Sequence, residues 1–359
     1  MVRVKLEDVC ERGTSNLKMS DVTDLSGNYP IYGAAGYIGN VDFYHQINPY
    51  VAIVKDGAGI GRAMLCPAQS SIIGTMQYLL PKKNILPRYL YYVVKYMHLE
   101  KYFTGATIPH IYFKDYKNET FNLEALERQK EIVTVLEKCE KVIEYRKREL
   151  NELDSLIKAR FVEMFGDPIY NANNLPMMCL NDLGVWNSGG TPSRTNPAYF
   201  TGEIDWYSAG ELNTLYLEGS IEKITEEAIQ ESAAKLFKAG SMLVGMYDTA
   251  AFKMGILKKA SASNQACACI EPNETVNIVW LYYSLQLMKE HFLSQRRGVR
   301  QKNLNLGMIK GFEIPIADRG KQDEFVCFAE QVDKSKVAVQ KALDETQILF
   351  DSLMQEYFG

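Results

Sequence analysis

The 359-residue sequence lacks any run of about 18 apolar residues, so it predicts no membrane span. Its first residues, Met-Val-Arg-Val-Lys-Leu-Glu-Asp, carry charge throughout and lack the apolar region of a secretory signal, which favours the cytoplasm. The seven cysteines are scattered and none forms a Cys-x-x-Cys pair, so a reduced chain is expected rather than a disulfide framework. The four histidines lie far apart and give no zinc-ligand spacing.

Motifs of known catalytic machinery are also missing. The sequence contains no Gly-x-Ser-x-Gly, no Walker loop and no His-Glu-x-x-His. The glycines at 57, 59 and 61 are spaced as in a dinucleotide-binding loop, but a strand-like segment follows them instead of a helix, which favours a glycine-rich hairpin. Asp-Pro-Ile-Tyr at 167–170 lacks the second proline of the amino-methyltransferase box and is interpreted as a linker.

What is present is the composition of a globular protein. Hydrophobic residues make up 47% and charged residues 23% of the chain, which excludes a disordered or low-complexity protein. The length suggests two domains, at about 100–200 residues each. The net charge of −4 does not by itself indicate a nucleic-acid partner, although a local basic surface remains open.

The sequence repeats itself. Residues 123–166 align without a gap on residues 316–359, with identities that include Gln129 and Gln322 as well as Phe165 and Phe358. Similarity continues upstream, where Leu-Tyr-Tyr at 90–92 matches Leu-Tyr-Tyr at 281–283. The sequence therefore predicts two copies of one arrangement, in which a mixed domain is followed by a helix.

Each repeated segment predicts a long helix with one apolar seam. Apolar residues recur at alternating spacings of four and three without an internal glycine or proline until Gly166, which favours helices of roughly 50–60 Å. A single seam of that length needs a partner, and the other copy is the obvious candidate. Packing alone explains the seam residues Ile132, Leu136, Ile143, Leu150, Leu153, Ile157, Phe325, Val332, Val339, Leu343, Phe350 and Leu353.

One polar segment stands out near the end of the second domain. Residues 295–303 hold four cations interleaved with glutamine and asparagine, a mixture suited to phosphates and base edges. The alternative is an ordinary solvated loop. The counterpart of this segment in the first copy, residues 104–110, is not basic, so the two domains would recognise different targets.

The order and duplication of these features resemble the specificity subunits of Type I restriction–modification enzymes. The phrases that carry the resemblance are Ser-Gly-Gly-Thr-Pro-Ser at 188–193, Ile-Asp-Trp-Tyr at 204–207, Arg-Gln-Lys-Asn-Leu at 300–304, and Gln129 with Ile132 at the start of the first long helix. The first domain departs from the pattern, with Gly-Thr-Ser at 13–15 in place of Gly-Thr-Pro. Arg-Gly-Lys at 319–321 replaces the usual proline-containing start of the second helix.

The resemblance implies an α+β architecture with a pseudo-two-fold internal repeat. Two mixed α/β target recognition domains, residues 1–122 and 167–315, would be joined by two long helices, residues 123–166 and 316–359, that pair as an antiparallel coiled coil. Each domain would read one half of a split double-stranded DNA site, and the helices would fix the separation of the halves.

The resemblance also implies partners. The helices would dock modification subunits, two in number, that bind S-adenosylmethionine and methylate adenine, and a restriction subunit would join for cleavage. The chain itself would be non-catalytic, without a metal or cofactor of its own. An isolated chain with an exposed docking surface could self-associate.

The residues expected to contact DNA are polar and lie in loops of both domains. In the first domain they are Lys55, Asp56, Arg62, Thr107 and His110, and in the second they are Tyr247, Asp248, Thr249, Lys253, Asn264, Gln265, Arg296, Arg297, Arg300, Gln301 and Lys302. For Asn264 and Gln265, structural hydrogen bonding is an equally good interpretation.

Two rival functions stay open at this point. A helix-paired scaffold that binds only proteins would show no steep salt dependence with DNA. An enzyme with cryptic chemistry, such as a self-contained methyltransferase, would bind its cofactor as a purified chain, and the missing cofactor loop argues against it.

Overall fold

The computed structural model describes residues 2–23, 26–105, 109–295 and 303–359. The chain divides into two units, the first formed by Met1–Arg148 with Val339–Gly359 and the second by Glu149–Ala338. Both mix short strands with helices, which agrees with the α+β class expected from the sequence. None of the helices in the described ranges combines the length and apolarity that crossing a bilayer requires.

The strands and helices of the first half of the chain are short until the first long helix. They are β1 (Val2–Lys5), α1 (Leu6–Val9), β2 (Cys10–Thr14), β3 (Tyr29–Gly33), β4 (Gly36–Val41), β5 (Tyr50–Val54), β6 (Ala63–Cys66), β7 (Ser71–Ile72), β8 (Met76–Pro81), α2 (Pro87–Tyr96), α3 (Phe113–Tyr116), β9 (Thr120–Leu123) and α4 (Leu126–Phe165).

The second half follows a similar order and ends in the second long helix. Its elements are β10 (Met177–Cys179), β11 (Gly184–Ser188), β12 (Ile204–Tyr207), β13 (Tyr216–Leu217), β14 (Glu222–Ile224), α5 (Glu226–Glu231), β15 (Met242–Gly245), β16 (Met254–Leu257), β17 (Ala262–Ser263), β18 (Cys267–Pro272), α6 (Ile278–Ser294), α7 (Leu306–Lys310), β19 (Glu313–Pro315) and α8 (Arg319–Phe358).

The main sheets of the two units share the order of four strands, and the second unit adds β13 at one edge. In the first unit a four-stranded sheet has the order β2-β8-β5-β6, and in the second a five-stranded sheet has the order β11-β18-β15-β16-β13. The β3–β7 and β12–β17 pairs are the matching parallel contacts. Val54 pairs with Met76 at the start of β8, and Gly245 pairs with Cys267 at the start of β18. Val54 and Gly245 therefore occupy equivalent positions, and the internal repeat seen in the sequence extends through the sheets.

The hairpin interpretation of the glycine-rich segment is confirmed. Strands β5 and β6 are antiparallel neighbours, and residues 55–62 form the turn between them. Gly59 has a φ of +82°, and a Cβ there would lie 2.3 Å from the Arg62 guanidinium, so a larger residue would strain the turn and displace this side chain.

Both long helices are present, and α4 ends just before Gly166, whose φ of +77° belongs to the left-handed conformation typical of a helix C-terminus. Of the predicted seam residues, nine are buried and Leu150, Leu153 and Leu353 are partly buried. The apolar spacing therefore identified the face that each helix buries.

A buried glutamine ties each domain helix to the start of a long helix. The Gln129 side chain accepts a hydrogen bond from the Leu86 N–H at 2.8 Å and donates to the Asn84 and Glu124 carbonyls at 2.9 and 2.8 Å. Gln322 repeats this pattern in the second unit, accepting from Asn277 N–H at 2.8 Å. Buried amides must be paired in this way, which explains why both copies carry glutamine here.

The cysteines give a prediction about chemical reactivity. Burial raises the pKa of Cys10, Cys66 and Cys267 to about 12, so only about 10⁻⁴ of each thiol is ionised at pH 8. Cys269 is also buried with a raised pKa, whereas Cys327 is exposed. We expect iodoacetamide to modify Cys327 well before these four, as measured by peptide mass spectrometry. Rapid native labelling of Cys267 would contradict the fold of β18, and full labelling in denaturant is the control.

Candidate nucleic-acid interface

Four of the five residues expected to contact DNA in the first domain lie around the end of β5. Asp56 Oδ1 is 2.6 Å from His110 Nδ1, and Lys55 Nζ is 3.6 Å from the other carboxylate oxygen. Arg62 is exposed at the far side of the same turn. Thr107 lies outside the described residues. The structure thus brings together Lys55, Asp56 and His110, although Asp56 and His110 are 54 residues apart in the sequence.

Backbone hydrogen bonds hold the His110 segment against the sheet. The Ile111 N–H donates to the Lys55 carbonyl at 2.9 Å, and the Gly57 N–H donates to the Pro109 carbonyl at 3.0 Å. Ile111 is buried, so this segment is anchored by one apolar side chain and by main-chain bonds. The side chains on either side of Ile111 are left at the surface.

A small cavity adjoins these residues. It measures about 200 Å³ and lies between the end of β2, the end of β5, the start of β8 and residues 111–114. Its polar lining beyond Lys55 and Asp56 consists of Arg12, Thr14, Gln77, Tyr112 and Lys114.

The sequence analysis identified Lys55 and Asp56 but missed the other polar residues that line this cavity. Arg12 and Lys114 are about a hundred residues apart, and only the register that pairs Thr14 with Gln77 brings them to the same sheet end. One local signal was available, namely the alternation of His110, Tyr112 and Lys114 around the apolar Ile111.

In the second domain, Tyr247, Asp248 and Thr249 form the exposed turn between β15 and β16, which fits the expected hairpin tip. The Asp248 N–H donates to Asn303 Oδ1 at 3.1 Å, and Lys253 Nζ donates to the Gly210 carbonyl at 3.4 Å. Asp248 has a φ of +50°, a left-handed conformation that aspartate tolerates better than most residues.

Asn264 and Gln265 precede β18 and have different surroundings. The Asn264 side chain accepts from the Ala266 N–H at 3.0 Å, which is a local turn contact. The exposed Gln265 side chain accepts a hydrogen bond from the Thr191 hydroxyl, so it is joined to the Gly-Gly-Thr-Pro segment. Structural hydrogen bonding therefore accounts for the Asn264 side chain. The Gln265 amide stays exposed beside the Gly-Gly-Thr-Pro segment.

The predicted residues of the basic segment, Arg296, Arg297, Arg300, Gln301 and Lys302, lie outside the described residues. The residues after the segment are anchored as in the first unit, because the Leu304 N–H donates to the Met246 carbonyl at 2.8 Å. Met246 and Lys55 occupy equivalent positions after β15 and β5, so Leu304 corresponds to Ile111. In both units, therefore, a main-chain hydrogen bond anchors the residue that follows the loop to the same end of the sheet.

The fold has counterparts among solved structures. The structure resembles the S subunit of a Type I restriction–modification system from M. genitalium with a TM-score of 0.63 and 13% identity, covering 100% of this chain and 96% of that one. A structure from work on complex assembly and conformational transition of the type I R-M system matches with a TM-score of 0.59 and 14% identity, covering 99% and 97%. At these identities the comparison establishes the fold.

The sequence establishes the family. The model of the Type I restriction modification DNA specificity domain matches residues 1–155 and again residues 174–346, so the chain belongs to this family and contains two copies of its domain. The chain is 22% identical over 213 residues to the Escherichia coli EcoR124I/EcoR124II specificity subunit, covering 57% of this chain and 52% of that protein. It is 26% identical over 150 residues to the Methanocaldococcus jannaschii MjaIX specificity subunit, covering 40% and 34%. These alignments span about half and a third of the relatives' lengths.

Proposed function

We propose that this chain is the DNA-recognition subunit of a Type I restriction–modification complex, in which each unit reads one half of a bipartite site. The observation that carries the proposal is the duplication of the family's DNA specificity domain. The two copies share a sheet topology and loop anchoring, yet they present different side chains at the equivalent sheet ends. Such a pair suits an asymmetric, two-part DNA sequence.

The two long helices act as the spacer by pairing antiparallel. Contacts inside the units support this arrangement. In the first unit Arg128 lies over the Tyr357 ring at 6.0 Å. In the second, Lys336 Nζ is 2.7 Å from Asp154 Oδ1 and Phe161 stacks edge-to-face on Phe325 at 5.2 Å. Early residues of α4 thus meet late residues of α8, and the reverse. A packed seam of this kind fixes half-site separation by geometry.

The helices also supply the surface for the partner subunits. Apolar side chains are exposed on both helices within the first unit, with Tyr145 55%, Ile348 69% and Leu349 52% accessible. These exposed apolar residues support a protein-binding surface on the helices. Modification subunits, two per chain, bind here and bring S-adenosylmethionine, and a restriction subunit completes the cytoplasmic complex. The chain itself contributes recognition and no catalysis.

The test is to co-express the chain with its modification subunit and to map methylated adenines on host DNA. We expect one split motif with an unread spacer. Exchanging residues 170–315 for those of another family member should change one half of the motif and leave the other half intact. A stable complex with an active partner but no sequence-specific methylation would contradict the proposal and favour a scaffold that binds only proteins.

A further inference from the structure

Three residues of the first unit form a row of side chains at the rim of the small cavity. The His110 and Tyr112 rings stack with centroids 6.4 Å apart and planes 28° from parallel. Lys114 Nζ lies 5.4 Å from the centroid of the Tyr112 ring. Tyr112 is 51% exposed although it is a large aromatic residue, so its ring has solvent-facing surface that the fold itself does not use.

The charges around this row are unbalanced. The one carboxylate lining the cavity, Asp56, already lies against His110 and Lys55. Among the residues that the structure describes, neither Arg12 nor Lys114 forms an ion pair with a carboxylate. Two cations without a carboxylate partner therefore line the same cavity as an exposed aromatic ring, an arrangement that suits a polyanion.

A polar amide lies at the back of the same cavity. Gln77 is 3% exposed, and its carbonyl oxygen accepts a hydrogen bond from the Tyr116 hydroxyl at 2.7 Å. Burial raises the pKa of Tyr116, so this hydroxyl stays protonated and keeps donating. The contact fixes the orientation of the Gln77 amide and makes the cavity a preorganised polar site.

The second unit has different residues at the equivalent positions. Since Ile111 corresponds to Leu304, His110 and Tyr112 correspond to Asn303 and Asn305. Both asparagines are used within the fold, because Asn303 accepts from the Asp248 N–H and Asn305 accepts from the Met308 N–H at 2.9 Å. The aromatic and cationic row is thus a feature of the first unit at this position and not a requirement of the fold.

We propose that Arg12, Tyr112 and Lys114 form the DNA contact of the first unit, with the two cations on backbone phosphates and the Tyr112 ring against a base edge of the first half-site. This inference rests on the proposed function and assigns its chemistry to residues. Tyr112 is the specificity-determining member, whereas Arg12 and Lys114 supply affinity that does not depend on sequence.

The experiment uses the purified complex of the chain with its modification subunit and a duplex carrying the methylated motif. Dissociation constants are measured by fluorescence anisotropy at several salt concentrations. Arg12→Ala and Lys114→Ala should each weaken binding by about three- to tenfold and reduce the slope of log Kd against log salt by about 1. Tyr112→Ala should lose about tenfold discrimination at a first-half position and none in the second half.

Lys83→Ala is the matched control, because Lys83 is an exposed lysine beyond the opposite end of β8. It should leave affinity, slope and motif unchanged. Wild-type values for all three variants would overturn the inference while leaving the proposed function intact. Equal losses for Lys83→Ala would also overturn it, because the effect would then be general charge. If the wild-type complex binds no duplex specifically, the proposed function itself fails. Thermal unfolding of each variant verifies that the fold is retained.

Discussion

Replacing Phe325 with alanine is expected to lower the free energy of unfolding of the second unit by about 3–5 kcal/mol. Phe325 is fully buried near the start of α8 and packs against Phe161 at 5.2 Å, Phe165 at 5.9 Å and Tyr283 at 5.5 Å between ring centroids. Truncation would leave a cavity among aromatic rings from α4 and α6, and rigid neighbours cannot collapse to fill it. Native-state hydrogen exchange at α6 and α8 measures the loss.

The control is the same substitution one turn later. Phe328 is partly buried and lies beneath the Arg160 guanidinium at 5.8 Å, so Phe328→Ala should cost roughly 1 kcal/mol. Exchange in the first unit, which does not contain Phe325, should change little in either variant. Equal losses for the two variants would show that Phe325 does not occupy the packed centre described above.

Gln322→Leu is expected to destabilise the second unit by about 3 kcal/mol, although leucine has nearly the same volume. The Gln322 amide donates to the Thr275 and Ala317 carbonyls at 3.2 and 2.8 Å and accepts from the Asn277 N–H at 2.8 Å. Leucine would leave these backbone groups without their partner, at a cost of about 1–3 kcal/mol for each one that stays buried. Amide exchange at Asn277 should quicken by roughly a hundredfold.

Two further variants sharpen this result. Gln331→Leu lies on the same helix at an exposed position and should be close to neutral. Gln129→Leu should reproduce the large loss in the first unit and quicken exchange at Leu86, because its hydrogen bonds follow the same pattern. If Gln322→Leu leaves the free energy of unfolding unchanged, water replaces the side chain. The hydrogen bonds of Gln322 would then not be needed to join α6 to the start of α8.

Much of the architecture could be predicted because it follows from the apolar periodicity and the internal repeat of the sequence. The spacing of Ile132, Leu136 and Ile143 identifies a helical face without any knowledge of its partner. The identity of Gln129 and Gln322 marked two equivalent positions, although only the structure gives their common hydrogen-bonding role. The strand order β2-β8-β5-β6 could not be predicted, since antiparallel pairings between distant segments leave no local signal.

The residues of the candidate site could likewise be predicted only in part. Lys55, Asp56 and His110 were identified as polar loop residues, and the structure brings them together, but whether they contact DNA stays a prediction. Arg12 and Lys114 were missed because each is an unremarkable cation within its own segment. Their proximity depends on the register of β2 with β8 and on the anchoring of Ile111, which are properties of the folded chain.

The division of each long helix between the two units has a consequence for biosynthesis. The second unit is one continuous segment, Glu149–Ala338, whereas the first also needs Val339–Gly359. Within it, Phe358 packs on the Tyr89 ring at 5.2 Å and the Gly359 carbonyl accepts from the Asn122 side chain at 3.2 Å. Residues 1–148 therefore complete their unit only after the whole second unit has been synthesised, and an apolar helix face stays uncovered until Val339–Gly359 emerge from the ribosome.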